Sequence, residues 1–283
     1  MNKLNVMCIG AQKSGTTSLH NILLKHPEIE LSDIKELFYF SDDRLYGDLR
    51  KLNRHYRFDP SKKVYMNVTP NYLCHELALS RIKEYNPDMK LIVILRNPID
   101  RLYSQYTMAK RLNNTNKPFS DFFVSEKDKL EKKITCGCYN AIYRSLYCLQ
   151  LDKVYQYFDQ SQVLIVSFDE FIKDQLGCVN KILSFIKVTP FKELEPIIAG
   201  AHFKPKTKWL WYLYTKIPYR IRRAFRILLR TSKLKNVDIR KNSEQVKKEP
   251  MDNAIRLELI QFFKPYNQKL QAMVPFDISL WDE

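Results

Sequence analysis

The sequence predicts a single α/β domain with a central parallel sheet flanked by helices, a P-loop-like turn after the first strand, and a basic helical segment towards the C-terminus. Three observations predict it. Leu91-Ile92-Val93-Ile94-Leu95 and Val163-Leu164-Ile165-Val166 are unbroken apolar runs, which suit strands covered on both faces of a parallel sheet. Segments of helical periodicity alternate with such runs, the pattern of βαβ units wound right-handed. A glycine-bearing turn, Gly10–Ser18, stands between the first apolar run and the first helical segment.

Taken in order, residues 4–9 read as a buried strand and 16–26 as an amphipathic helix, closed by His26-Pro27 because the residue before proline disfavours the helical region. Val64-Tyr65-Met66 is a weaker strand. Helices are expected over 75–86, 99–112, 140–158, 175–187 and 251–272, and no internal repeat or low-complexity tract interrupts them.

Composition bounds the function. The 283 residues are 45% hydrophobic and 13% aromatic, enough for a core in one large domain. No basic leader with an apolar core precedes the first strand, so no cleaved signal peptide is expected, and the expected location is the cytoplasm. The six scattered cysteines are read as reduced thiols, and Cys136-Gly137-Cys138 lacks metal-ligand spacing, so no metal site is expected. The net charge of +16 is uneven: residues 201–248 hold 15 Lys and Arg against Asp238 and Glu244. One segment, rather than the whole surface, is built to meet an anion.

The turn Gly10-Ala11-Gln12-Lys13-Ser14-Gly15-Thr16-Thr17-Ser18-Leu19 carries the chemistry. A glycine turn at a helix N-terminus offers successive backbone N–H groups to phosphate, and Thr16, Thr17 and Ser18 add hydroxyl donors. An ATPase loop would place Lys directly after the second glycine, whereas here Lys13 lies within the loop and Thr16 takes that place. The strand Lys90–Leu95 is followed by Arg96, not by an acid suited to Mg²⁺. A kinase of P-loop type is therefore the rival reading rather than the first.

Gly10–Leu19 resembles the 5′-phosphosulfate loop of sulfotransferases that use PAPS (3′-phosphoadenosine 5′-phosphosulfate), particularly the heparan sulfate and carbohydrate branch. Leu95-Arg96-Asn97-Pro98-Ile99-Asp100-Arg101-Leu102-Tyr103-Ser104-Gln105-Tyr106 resembles that family's 3′-phosphate motif, with Pro98 suited to a first helical turn and Arg96 able to grip phosphate as a fork. Lys35-Glu36-Leu37-Phe38-Tyr39-Phe40 is similar to its Lys-Glu segment, and Thr69-Pro70-Asn71-Tyr72 to its Thr-Pro-x-Tyr loop. Gly137-Cys138-Tyr139 through Val166–Phe171, and Tyr266–Leu270 with Trp281, continue the likeness.

The resemblance implies a metal-independent, in-line transfer of a sulfuryl group from PAPS, leaving PAP, to a hydroxyl or amine of a carbohydrate or glycolipid. It implies donor contacts from Gln12, Lys13, Ser14, Gly15, Thr16, Thr17, Ser18, Arg96 and Ser104, with Arg240 or Lys241 in a loop closing over the 3′-phosphate. Lys13 is expected to stabilise the departing oxygen and Glu36 to take the acceptor's proton. Lys35, Asn67, Tyr72 and His75 are expected on the acceptor side. One departure stands out: the family often has Glu-Lys before the Thr-Pro loop, and this chain has Asn67-Val68, one cation fewer.

Within the basic segment, Ile221, Ala224, Phe225 and Leu228 recur at helical spacing while Arg220, Arg223, Arg226 and Arg230 lie mostly elsewhere, and Trp209–Tyr214 is nearly all apolar or aromatic. That is the pattern of an interfacial helix, so residues 205–235 are expected to meet an anionic membrane surface, with an anionic glycan groove and an ordinary packed helix as alternatives. No nucleic-acid partner is expected, since no binding module accompanies the charge. A non-catalytic PAPS- or membrane-binding homologue remains an alternative because of Val68.

Overall fold

The computed structural model describes residues 3–132, 139–197, 203–205, 243–245 and 251–283. The chain divides into two compact units, Met1–Ile197 with Met251–Glu283, and Ile198–Pro250. In the first, five strands, β1 (Val6–Gly10), β2 (Ile29–Leu31), β3 (Val64–Val68), β4 (Lys90–Leu95) and β5 (Val163–Ser167), form one sheet in the order β2-β3-β1-β4-β5. Every pairing is parallel. The expected α/β sheet is therefore present. The apolar runs earn their burial: Leu91 to Leu95 are all fully buried, and β1 is buried at each position.

Around the sheet lie α1 (Thr16–Leu23), α2 (Leu49–Asn53), α3 (Glu76–Tyr85), α4 (Pro98–Arg111), α5 (Phe119–Glu131), α6 (Tyr147–Tyr157), α7 (Phe168–Lys173), α8 (Gln175–Phe185) and, after the second unit, α9 (Asn253–Gln271). Alternate residues of each strand feed two cores. Met7, Ile9, Leu91, Val93 and Leu95 pack with Tyr72, Leu151 and Trp281 on one face. Val6, Cys8, Ile92 and Ile94 pack with Leu19, Ile22, Val179 and Ile182 on the other.

Two expectations are corrected locally. The first helix ends at Leu23, three residues short of His26. The segment expected as one helix over 140–158 is instead a 3-10 turn, Tyr143–Ser145, followed by α6. Its first backbone groups are engaged elsewhere: Ala141 N–H donates to Glu126 Oε2 at 2.6 Å and Ala141 C=O accepts from Arg101 at 2.5 Å. Asn140 Oδ1 accepts from Tyr143 N–H, and Leu146 at φ −85°, ψ 66° breaks the helical run. Tertiary hydrogen bonds outcompete local helix propensity here.

In the second unit, β6 (Phe203–Pro205) pairs antiparallel with β7 (Ser243–Gln245). The helix expected in the basic segment, the membrane-contact stretch between 206 and 235, and Arg240 and Lys241 lie outside the described residues.

Candidate active site

The strand order reverses between β1 and β4: β2 and β3 lie to one side, β5 to the other. Open parallel sheets bind ligands in the crevice at such a switch point, outside the carboxyl ends of the strands. The Gly10–Ser18 turn leaves β1 at that point, and Ala11 N–H donates to Ile94 C=O of β4 at 2.8 Å, tying the turn to its neighbour.

The turn is shaped for an anion. Gly15 sits at φ 79°, a left-handed conformation, directly before Thr16 opens α1. A side chain there would also press on the rings of Phe168 and Phe171 at 3.1–3.2 Å, so only glycine suits the position. Lys13 is left-handed too, at φ 73°. No side chain caps the N-terminus of α1, and its first turn carries no acid. The Ser14 hydroxyl is buried without a hydrogen-bond partner among the described residues. The buried Tyr147 hydroxyl lies against Ser14 and the Arg96 backbone. A buried hydroxyl at a helix N-terminus suits an acceptor-rich ligand. Thr16 and Ser18 are buried, and Thr17 is exposed.

Arg96, at the end of β4, donates to Lys13 C=O at 3.2 Å and stacks on Phe168, its guanidinium carbon 4.8 Å from the ring centroid. Asn97 caps the next helix through Ile99 N–H at 2.9 Å, which leaves Arg96 as the charged group at that strand end. Lys13 Nζ lies against Met108 Sδ at 3.7 Å. Met108 is one turn beyond Ser104 on α4, so Lys13, Arg96 and Ser104 belong to one neighbourhood. Burial first, then the charges of Arg111, Arg96 and Arg101, lower the Lys13 ammonium to about 8.

Behind them Arg101 is fully buried. It donates to Ser145 Oγ at 2.6 Å, Gln105 Oε1 at 2.7 Å and Ala141 C=O, and its burial lowers it to about 10. This guanidinium fastens the 141–145 turn to α4. The sequence offered only the second arginine of an Arg-x-Pro-x-x-Arg spacing as a sign of it.

Beside the turn is a cleft of about 560 Å³, lined by Gln12, Glu36, Asn71, His75 and Arg144 among others. Glu36 is set by backbone rather than by packing. Its φ is 65° and that of Phe38 is 54°, while its N–H donates to Val68 C=O at 3.2 Å at the end of β3. Non-glycine residues held left-handed are costly and gather at functional sites. Lys35 Nζ donates to Glu36 Oε1 at 2.6 Å. His75 borders the same cleft with a buried Nδ1 that lacks a hydrogen bond among the described residues, and its pKa is lowered, mainly by burial.

Three expected acceptor residues do not line the cleft: Lys35, which is bonded to Glu36, and the buried Asn67 and Tyr72. Asn67 is 1% exposed, donating to Ser32 Oγ at 3.3 Å and accepting from Thr69 Oγ1 at 2.6 Å. Tyr72 is fully buried against Phe40, whose N–H donates to its hydroxyl. Both hold the loops in place from within. Arg144, which the sequence reading passed over, does reach the cleft: it donates to Gln12 Oε1 at 2.6 Å and Asn71 Oδ1 at 2.7 Å. Among the described residues, no three His, Cys, Asp or Glu side chains gather as metal ligands.

A parallel α/β sheet with an uncapped anion-binding turn at its switch point, and an arginine from the adjacent strand beside it, defines a class of proteins that hold a phosphorylated ligand at strand ends. The family model described as the sulfotransferase domain matches residues 3–273, and the chain belongs to that family. Heparan sulfate glucosamine 3-O-sulfotransferase 5 of Homo sapiens is 26% identical over 186 residues, covering 64% of this chain and 53% of the relative. Heparan sulfate glucosamine 3-O-sulfotransferase 3B1 of Homo sapiens is 24% identical over 277 residues, covering 97% and 64%. The chain thus spans about half to two thirds of the length of these curated relatives. The crystal structure of a sulfotransferase from Alicyclobacillus acidocaldarius superposes with a TM-score of 0.74 at 21% identity, covering 100% of both chains, and shares the fold.

Proposed function

We propose that this protein transfers a sulfuryl group from PAPS to a hydroxyl or amine of a carbohydrate or glycolipid acceptor, with Glu36 as the base. The observation that carries the reading is the convergence, around one switch point, of the uncapped Gly10–Ser18 turn with Lys13 and Arg96, beside a cleft lined by a backbone-strained Glu36. The residues fit the donor. The turn's backbone N–H groups with Ser14, Thr16, Thr17 and Ser18 would hold the 5′-phosphosulfate, and Arg96 with Ser104 the 3′-phosphate.

When bound, PAPS supplies an activated sulfuryl group: its sulfur loses the bond to the bridging phosphate oxygen and gains one to the acceptor. Glu36 takes the acceptor's proton as that bond forms. Lys13 holds positive charge where the bridging oxygen takes up the electron pair, in surroundings dry enough to strengthen the interaction. Lys35, through its hydrogen bond, orients Glu36.

The test is calorimetric titration with PAP in EDTA, wild type against Arg96→Ala. Micromolar or tighter metal-free binding, weakened about 10- to 100-fold by the substitution, supports the reading, because hydrogen bonds to charged groups contribute about 1.5–3 kcal/mol. Binding only of ATP with Mg²⁺ would replace it with the kinase reading.

The finer acceptor reading, a lipid-linked glycan met at the inner face of a membrane from the cytoplasm, is supported by the excess of Lys and Arg over residues 201–248 and the aromatic anchors Trp209 and Trp211. Detergent-free protein that ignores anionic vesicles at low salt would remove it.

A further inference from the structure

Where the resemblance implies a lysine before the Thr69-Pro70 loop, this chain has Val68. Val68 is 1% exposed at the end of β3, and its contribution to the site is its carbonyl, which accepts the Glu36 N–H. This strand end therefore anchors the base and brings no cation.

Arg144 brings a cation to the cleft that Glu36 lines. Its Nη1 donates to Gln12 Oε1 at 2.6 Å and its Nη2 to Asn71 Oδ1 at 2.7 Å. Gln12 directly precedes Lys13 in the turn after β1. Asn71 lies three residues beyond Val68, in the loop after β3. The guanidinium thus bridges the two walls between which a group must pass from the turn to the acceptor, and it lines the same cleft as Glu36. Its backbone is fixed from behind. Arg101 holds Ala141 C=O and Ser145 Oγ, while Ser145 Oγ donates to Pro98 C=O at 3.0 Å. The chain between these fixed points has little freedom to withdraw the side chain.

We propose that Arg144 contacts the sulfuryl oxygens during transfer. The proposal rests on the PAPS reading above and adds the residue that recognises the sulfuryl group itself. A planar fork suits a group whose charge is spread over several oxygens, and it acts without reorganising because two amides already hold it.

The test compares affinities for PAPS and for PAP, which differ only by that group, in wild type, Arg144→Gln and Arg144→Lys. Thermal denaturation confirms that each variant is folded. Arg144→Gln is expected to weaken PAPS binding about tenfold or more while leaving PAP within about twofold, and Arg144→Lys to fall between. If Arg144→Gln leaves the ratio of the two affinities as in wild type, the proposal is overturned, whether both affinities fall or neither does. Wild type that binds neither nucleotide would overturn the donor reading instead, and this outcome is separate because it needs no variant to see.

Discussion

Lys13 gives the sharpest quantitative handle on the donor site. Its pKa is lowered from 10.5 to about 8, chiefly by burial and then by neighbouring arginines. A dianionic phosphate placed against it would restore the charged form, so nucleotide binding above pH 8 must take up a proton. PAP phosphates are fully ionised above about pH 7, since their second pKa lies near 6. At pH 9 about a tenth of the free protein carries the charged lysine, and affinity for PAP is expected to fall about tenfold from its value at pH 7, or about 1.4 kcal/mol. Calorimetry at pH 7, 8 and 9, repeated at pH 9 in two buffers of different ionisation enthalpy, reads both the affinity and the proton. The Lys13→Gln variant should bind more weakly at pH 7 and lose the slope. A flat profile in wild type, or the same slope in Lys13→Gln, refutes the reasoning. A stability effect follows with its sign fixed. The folded-state pKa is depressed, so the unfolded chain binds more protons between about 8 and 10.5. Stability then rises with pH across that window, while below about 8 the whole penalty, up to about 3 kcal/mol, is present. Lys13→Met should therefore raise Tm at pH 7 while impairing nucleotide binding.

Glu36→Gln should abolish turnover, by about 10²- to 10⁴-fold, and leave PAP affinity within about twofold; full activity in this variant would remove Glu36 as the base. Gly15→Ala should destabilise the fold by about 1–3 kcal/mol in urea titration, because alanine at φ 79° is strained and its methyl meets Phe168 and Phe171. An unchanged midpoint would mean that the turn relaxes freely.

What the sequence revealed tracked how local each cause was. The two apolar runs that became β4 and β5 are legible because burial on both faces removes every polar residue from them. The donor turn was legible because its glycines and hydroxyls are consecutive. By contrast β2 is three residues long and α2 five, too short for a period to register. The break at 140–146 was hidden because its cause is distant: Glu126 and Arg101, fourteen or more residues away, hold backbone groups that a helix would have used. Asn67 and Tyr72 looked like acceptor residues because they flank a recognisable loop, yet their side chains face interior partners. Arg144 was missed for the converse reason. It lies within a stretch read as a helix and joins the site through contacts with Gln12 and Asn71, 132 and 73 residues distant in sequence.

The distribution of these residues over the fold separates two kinds of specificity. In the proposed reading the donor is addressed by the ends of β1 and β4, adjacent strands locked by Ala11 N–H to Ile94 C=O and by Arg96 to Lys13 C=O. A change there disturbs the sheet itself, as the crowding around Gly15 illustrates. The cleft walls come instead from irregular segments around 36–44, 70–75 and 139–144. Such segments tolerate substitution far better than strands do. A cation can then be supplied from the 139–144 turn without disturbing the sheet, provided its guanidinium reaches the cleft. The place to look for this chain's acceptor is therefore the wall made by Phe38, His75 and Arg144, not the turn it shares with its family.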